Sequence, residues 1–188
     1  IREWVEMDTV IGSIGGKAIL TFDLTVCNFM FGILLENKTS AEVSRAIKRL
    51  KSRLLELGST FGEIFPLILT DNGGEFADVF SIENTSQGER ETRLYFCDPY
   101  QSSQKPHVEK NHTLFRDIVP QGSSFDDFTQ DTVDLIFSHV NAIKRRRFRG
   151  KSPFEHFAFL YNPSIISALG IRSIAECEVC QSPALLKR

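Results

Sequence analysis

The spacing of apolar and polar positions divides the chain into stretches of two different periods. Trp4 to Ile11, Ala18 to Leu24 and Phe29 to Leu35 are β-rich runs separated by the turn signals Gly12-Ser13-Ile14-Gly15-Gly16 and Thr25 to Asn28. They predict three strands in an antiparallel meander. In the second run Ala18, Leu20, Phe22 and Leu24 alternate with Ile19, Thr21 and Asp23, which predicts one buried face. From Thr39 the period changes. Thr39-Ser40-Ala41-Glu42 fits a capping box, and Val43, Ala46, Ile47, Leu50, Leu54 and Leu57 recur at helical spacing until Gly58. The other face of this helix holds Arg45, Lys48, Arg49 and Arg53, most simply a solvated surface. Leu67, Ile68 and Leu69 make an apolar run too short for a helix. They predict a strand from Pro66 to Thr70, reached from the meander by a helical crossover, so that the sheet is mixed.

Beyond it, Phe76 to Phe80 reads as a short helix and Ser81 to Glu91 as a polar, mobile loop. Arg93 to Cys97 reads as a strand, and His107 to Val119 as a helix with Val108, Phe115, Ile118 and Val119 inward. Phe125 to Arg145 contains a helix with Val133, Ile136, Phe137 and Val140 inward. Ser152-Pro153-Phe154-Glu155 opens a further helix with a capping box and proline at its first position. This order of elements is that of an α/β, ribonuclease-H-like fold: a five-stranded mixed sheet flanked by helices, with a C-terminal helical extension. Residues 1–122 make the core and residues 123–188 pack on or extend it.

Composition narrows the function classes. With 188 residues, 41% hydrophobic and 24% charged, the chain can bury a core and is not a disordered sequence. It opens on Ile1 already in a strand pattern, as expected of a piece of a longer protein. No apolar run approaches the ~20 residues of a membrane span, and no leader pattern precedes the first strand, so a soluble intracellular domain without a membrane partner is expected. Cys27, Cys97, Cys177 and Cys180 do not resemble a disulfide framework. Cys177 and Cys180 form a C-x-x-C that lacks a second ligand pair for zinc and reads as ordinary thiols. A net charge of −2 argues against a broadly basic nucleic-acid binder. Any such binding must be local and partly metal-mediated. The local candidate is Lys144, Arg145, Arg146, Arg147, Arg149 and Lys151 around Phe148. Part of that charge complements a helix C-terminus, but the run exceeds what capping requires and favours a phosphate-backbone contact.

Three acids stand out. Asp71 ends a strand and precedes Asn72-Gly73-Gly74, where glycines permit positive φ and close approach of a ligand; it reads either as an Asx turn or as a delivered carboxylate. Asp8 shares a strand face with Glu6 and reads either as a partly exposed edge position or as a site residue. Glu109 lies near the start of a helix, where the dipole favours a carboxylate in any case. In a ribonuclease-H-like sheet all three converge, and converging carboxylates call for cations. Magnesium suits such hard oxygen ligands, and a pair of ions supports in-line phosphoryl displacement.

Trp4-Val5-Glu6-Met7-Asp8, Leu69-Thr70-Asp71-Asn72-Gly73-Gly74-Glu75-Phe76, and Asp98-Pro99-Tyr100 through Gln104 to Glu109-Lys110-Asn111 resemble the three acidic motifs of DDE transposases and retroviral-type integrases. The match is closest to the insertion-sequence-thirty type of bacterial transposase and covers roughly residues 3 to 160 in order. The resemblance implies Asp8, Asp71 and Glu109 as catalytic, metal-binding residues for magnesium or manganese. It implies Asn72, Gln104, Lys105 and Asn111 near the scissile phosphate or terminal bases, and Lys144 to Lys151 near duplex DNA. It further implies DNA cleavage and strand transfer on transposon ends and target DNA, a homodimer or larger assembly, and a bacterial cytoplasmic, nucleoid-associated location. The chain departs from the family in the interval between Asp71 and Glu109, which is slightly long. It also has Ser103 and Lys105-Pro106 where a tryptophan and an arginine-glycine pair are usual. A ribonuclease-H-like nuclease without strand transfer and an inactive DNA-binding remnant are the alternatives.

Overall fold

A computed structural model describes residues 4–98 and 106–187, with the side chains of Pro106 and Glu109 outside that description. Five strands form one mixed sheet in the order β3-β2-β1-β4-β5: β1 (Val5–Ile11), β2 (Ala18–Leu24), β3 (Phe29–Leu35), β4 (Leu67–Thr70) and β5 (Arg93–Phe96). The first three are an antiparallel meander, and β4 and β5 add parallel to β1 and to each other. Parallel additions require crossovers. Helices α1 (Ser40–Glu56) and α2 (Phe61–Ile64) carry the chain from β3 to β4, and a 3-10 turn (Gly74–Phe76) with α3 (Val79–Glu83) carries it on to β5. Helices α4 (Pro106–Ile118), α5 (Gln130–Ala142), α6 (Pro153–Leu160) and α7 (Pro163–Ala168) follow.

The strand β2 is buried at every residue, where its alternation suggested one buried face. The sheet has helices on both sides, so both alternating sets are covered. Phe22 packs on Phe31 and Phe65, with ring centroids 4.9 and 5.5 Å away, toward α2. On the opposite face Thr21 meets His112 and Asp23 meets Asn111, both on α4.

The free edge of β3 is sealed by side-chain amides of α5. Asn141 accepts from Met30 N–H and donates to its carbonyl, while Gln130 accepts from Leu34 N–H and donates to the Gly32 carbonyl. These bonds satisfy backbone groups that an open edge would offer to another strand. Gly32 is required there, because a Cβ would lie 2.4 Å from the Phe137 ring.

Other elements shift from their sequence boundaries for local reasons. Within the Phe125 to Arg145 segment helix α5 runs from Gln130 to Ala142, opened by the capping box of Thr129 and Thr132. The short helix expected at Phe76 to Phe80 is split, and α3 begins after Asp78, whose carboxylate accepts from Ser81 N–H and Ser44 Oγ. At α1, Thr39 caps as expected, but Glu42 turns to Glu36 N–H and to Arg45. The polar segment after Ile82, expected as a mobile loop, is closed by an Asn84–Arg90 bridge and tied to α1. Buried Lys51 donates to the carbonyls of Ser81, Ile82 and Asn84 and pairs with Glu91 at 2.9 Å. Among the described residues no helix is long and apolar enough to cross a membrane.

Candidate active site

The parallel pairing of β1 with β4 sets Val5 beside Ile68 and Glu6 beside Leu69. Continued two residues toward the carboxyl ends, the same register brings Asp8 beside Asp71. Neighbouring strands lie ~4.8 Å apart, so the two carboxylates leave the sheet at one level. Asp8 is half-buried and accepts from Thr9 N–H at 2.8 Å. Asp71, also half-buried, accepts from Gly73 N–H at 3.0 Å. The Asx turn at Asp71 is therefore present, and it fixes this carboxylate at the strand end. Gly73 has φ −63°, and neither it nor Gly74 takes positive φ, contrary to the backbone reading of these glycines. A Cβ at Gly73 would lie 2.5 Å from Oε2 of Glu75, so a larger residue there would have to displace that carboxylate.

Glu75 was not singled out by sequence reasoning, although it stands within the same motif. It is buried, accepts from Thr9 Oγ1 at 2.7 Å and pairs with Lys38 Nζ at 3.0 Å. It thus joins the residue after Asp8 to the loop after Asp71.

Helix α4 lies over the strand face that carries Asp8. Thr21, paired with Asp8 across β1 and β2, donates to the Asp8 carbonyl and lies 3.1 Å from His112 Nε2. Glu6 accepts from the backbone N–H groups of His107 and Val108 at 3.0 and 2.8 Å. Glu109 follows Val108 in the first turn of this helix, so its backbone is on the same side of the sheet as Asp8. Its side chain, and all of Gln104 and Lys105, lie outside the described residues. Among the described residues no group of three histidine, cysteine or acidic side chains stands ready to hold an ion. Asp8 and Asp71 supply two adjacent hard oxygen donors, the ligand type that magnesium and manganese prefer.

Asn111, expected near DNA, is buried instead. Its amide donates to Asp23 and to the Asn28 carbonyl, and its oxygen accepts from Arg145 Nη2 at 3.2 Å. Burial pushes the Asp23 carboxyl up to about 8; the Asn111 amide opposes the rise, and the adjacent Glu6 adds to it. Asn72 is exposed and donates to the Cys97 carbonyl at 2.8 Å, linking the Asp71 loop to the end of β5.

The basic run forms one compact turn. Arg145 N–H donates to the Lys151 carbonyl, Arg146 to Phe148 is a 3-10 turn, and Arg149 and Gly150 take positive φ. Phe148 anchors the turn, 4.2 Å from the His156 ring. Arg146, Arg149 and Lys151 are exposed. Arg145 is drawn inward to Asn111, Arg147 reaches Asn28 Oδ1 at 3.3 Å, and Lys144 pairs with Glu176 at 2.7 Å. Burial lowers the pKa of His107, at the start of α4, and the nearby charges of Arg147 and Lys110 lower it further. The turn thus stands beside the helix that carries Glu109. At the far end of the chain, Cys180 N–H donates to Nδ1 of buried His139, and Cys177 is exposed.

Sheet order, crossovers and the helix over β1 define a ribonuclease-H-like fold of the integrase-core kind. It matches the catalytic core domain of BIV integrase with a TM-score of 0.59 at 20% identity, over 85% of this chain and 96% of that one. It also matches the HTLV-2 integrase catalytic core domain in complex with magnesium, with a TM-score of 0.55 at 13% identity over 82% and 95% of the two chains. In sequence the chain is similar to proteins named as transposases and integrases, in line with the fold. It is 32% identical over 138 residues to the ORF3 protein of Spiroplasma virus SpV1-R8A2 B, which carries an integrase name; the match covers 73% of this chain and 40% of that protein. It is 27% identical over 167 residues to the transposase for insertion sequence element IS4351 of Bacteroides fragilis, covering 87% and 47%. Against transposase InsI for insertion sequence element IS30A of Escherichia coli K12 it is 28% identical over 123 residues, covering 65% and 30%. The chain spans less than half the length of these relatives. No protein-family model matches it.

Proposed function

We propose that this chain is the catalytic core of a transposase that cuts DNA strands at element ends and joins them to target DNA, using magnesium or manganese held by Asp8, Asp71 and Glu109. The observation that supports this reading is the parallel register of β1 and β4, Val5 beside Ile68 and Glu6 beside Leu69, which continued two residues puts Asp8, in the middle of β1, level with Asp71, just past the end of β4. Divalent ions bound there would activate the attacking hydroxyl and stabilise the leaving oxygen in phosphoryl transfer. The Thr9 and Gly73 N–H groups orient the two carboxylates, so the chain supplies a preset pair of donors. Arg146, Arg149 and Lys151 offer a positive surface for the phosphate backbone, joined by exposed Arg147. Asn72, Gln104 and Lys105 are assigned to the same DNA path by sequence resemblance. Handling two element ends at once calls for a homodimer or larger assembly of the full-length protein.

The test is Asp71→Asn in the full-length protein, assayed for both end cleavage and strand joining with Mg2+ or Mn2+. Loss of both, with thermal unfolding unchanged, is expected; retained metal-dependent joining contradicts the proposal. Hydrolysed ends without joined strands from the parent protein would instead identify a nuclease. A parent protein that binds no Mn2+ would identify an inactive DNA-binding remnant.

A further inference from the structure

We infer that Glu6 is a positioning residue: from strand β1 it caps helix α4 and thereby fixes where the backbone of Glu109 stands relative to Asp8. This rests on the ion-binding reading of Asp8, Asp71 and Glu109. Glu6 is fully buried, an unfavourable place for a carboxylate unless donors surround it. They do. One oxygen accepts from His107 and Val108 N–H, and the other from Trp4 Nε1 at 3.3 Å. Trp4 also meets the His107 ring edge-on, with centroids 6.1 Å apart.

The first N–H groups of an α-helix have no partner within the helix, and a capping side chain usually comes from the residue at its own start. Here Lys105, a residue type that does not favour that role, precedes Pro106, which has no N–H. The acceptor for the next two N–H groups comes instead from a strand about a hundred residues earlier, and its negative charge also complements the positive end of the helix. Two hydrogen bonds to one carboxylate fix both the height and the rotation of the first turn. Further along, Asn111 and His112 hold the second turn to Asp23 and Thr21. Without Glu6, the turn that includes Glu109 is the part left to fray.

The geometric consequence follows from the strand. Glu6 and Asp8 are two residues apart on one face of β1, ~7 Å along a rigid element. One ligand is on that strand directly, and the helix bearing the other is pinned to it two residues away. The spacing between the first and third acids is therefore set by a single piece of backbone.

The test compares the full chain with Glu6→Met, Glu6→Gln and Asp71→Asn, following amide hydrogen exchange by NMR and Mn2+ binding by calorimetry. In Glu6→Met, exchange at His107 and Val108 should quicken about tenfold or more while Phe115 and Ile118 keep their protection. Mn2+ affinity should fall about tenfold, as when an outer partner of a metal ligand is lost. Glu6→Gln keeps an acceptor without the charge and should show the same changes at roughly a third of that size. If Glu6→Met does not fold, Glu6→Gln decides. Unchanged exchange at His107 and Val108, or quickened exchange with parental Mn2+ affinity, overturns the inference. Asp71→Asn should lose Mn2+ binding. Parental binding in that variant overturns the ion reading itself and with it the purpose of the cap, a failure distinguishable from an unchanged helix.

Discussion

Two pairs of carboxylates stand one level apart on the same sheet, in opposite surroundings. Glu6 and Asp23 are register partners across β1 and β2, both fully buried, with hydrogen bonds from α4 backbone and from Asn111. Asp8 and Asp71, two residues further along, are half-buried and accept from backbone N–H groups close by in sequence, Thr9 within β1 and Gly73 in the loop after β4. The inner pair has its charge managed by the fold: one member caps a helix, and burial keeps the other protonated up to about pH 8. The outer pair, one member in the middle of β1 and the other just past the end of β4, keeps part of its surface exposed. A carboxylate in a strand is thus not a functional signal by itself; what surrounds it decides.

The sharpest separation of the two pairs is expected from Asp8→Asn. Strand cleavage should fall about 10³-fold or more while the urea midpoint hardly moves, since under the proposed mechanism Asp8 holds an ion whose loss removes several kcal/mol from the transition state alone. Next in size is Asn111→Leu, which leaves buried Asp23 and half-buried Arg145 without their shared amide. It should destabilise the fold by about 3 kcal/mol in urea unfolding. Asp23 itself gives a pH signature. Its folded pKa is about 8, far above the ordinary carboxylate value, so its protonated form contributes stability that is fully present below about pH 4 and is lost as pH rises to 8. Asp23→Asn should flatten the fall in unfolding free energy between pH 5 and pH 8. The smallest effect is on DNA affinity. Replacing Arg146 and Arg149 by alanine should lower the slope of log binding against log salt by roughly one for each, with stability unchanged.

Much of the scaffold was legible in the sequence. The meander strands lie within a residue of their expected bounds, because β-rich runs between turn signals leave few alternatives. Val108, Phe115 and Ile118 of α4, and Val119 just after it, are buried as their spacing indicated. What local pattern could not show was set by tertiary approach. The burial of both faces of β2 depends on α4 arriving from far along the chain. So does the role of Glu6, whose position beside Asp8 was visible but whose capping of α4 was not. Asn111 looked like a polar residue beside a catalytic acid, and only the contacts to Asp23, Asn28 and Arg145 show that it faces inward. Glu75 was within reach of sequence reasoning: an acid in the same short motif as Asp71, with Gly73 before it to leave room.

The most direct measurement is an anomalous difference map from crystals soaked in manganese. A peak ~2.1 Å from carboxylate oxygens of both Asp8 and Asp71, with Glu109 on the same or an adjoining ion, is expected. Ordered Asp8 and Asp71 side chains with no shared peak at saturating manganese would contradict it.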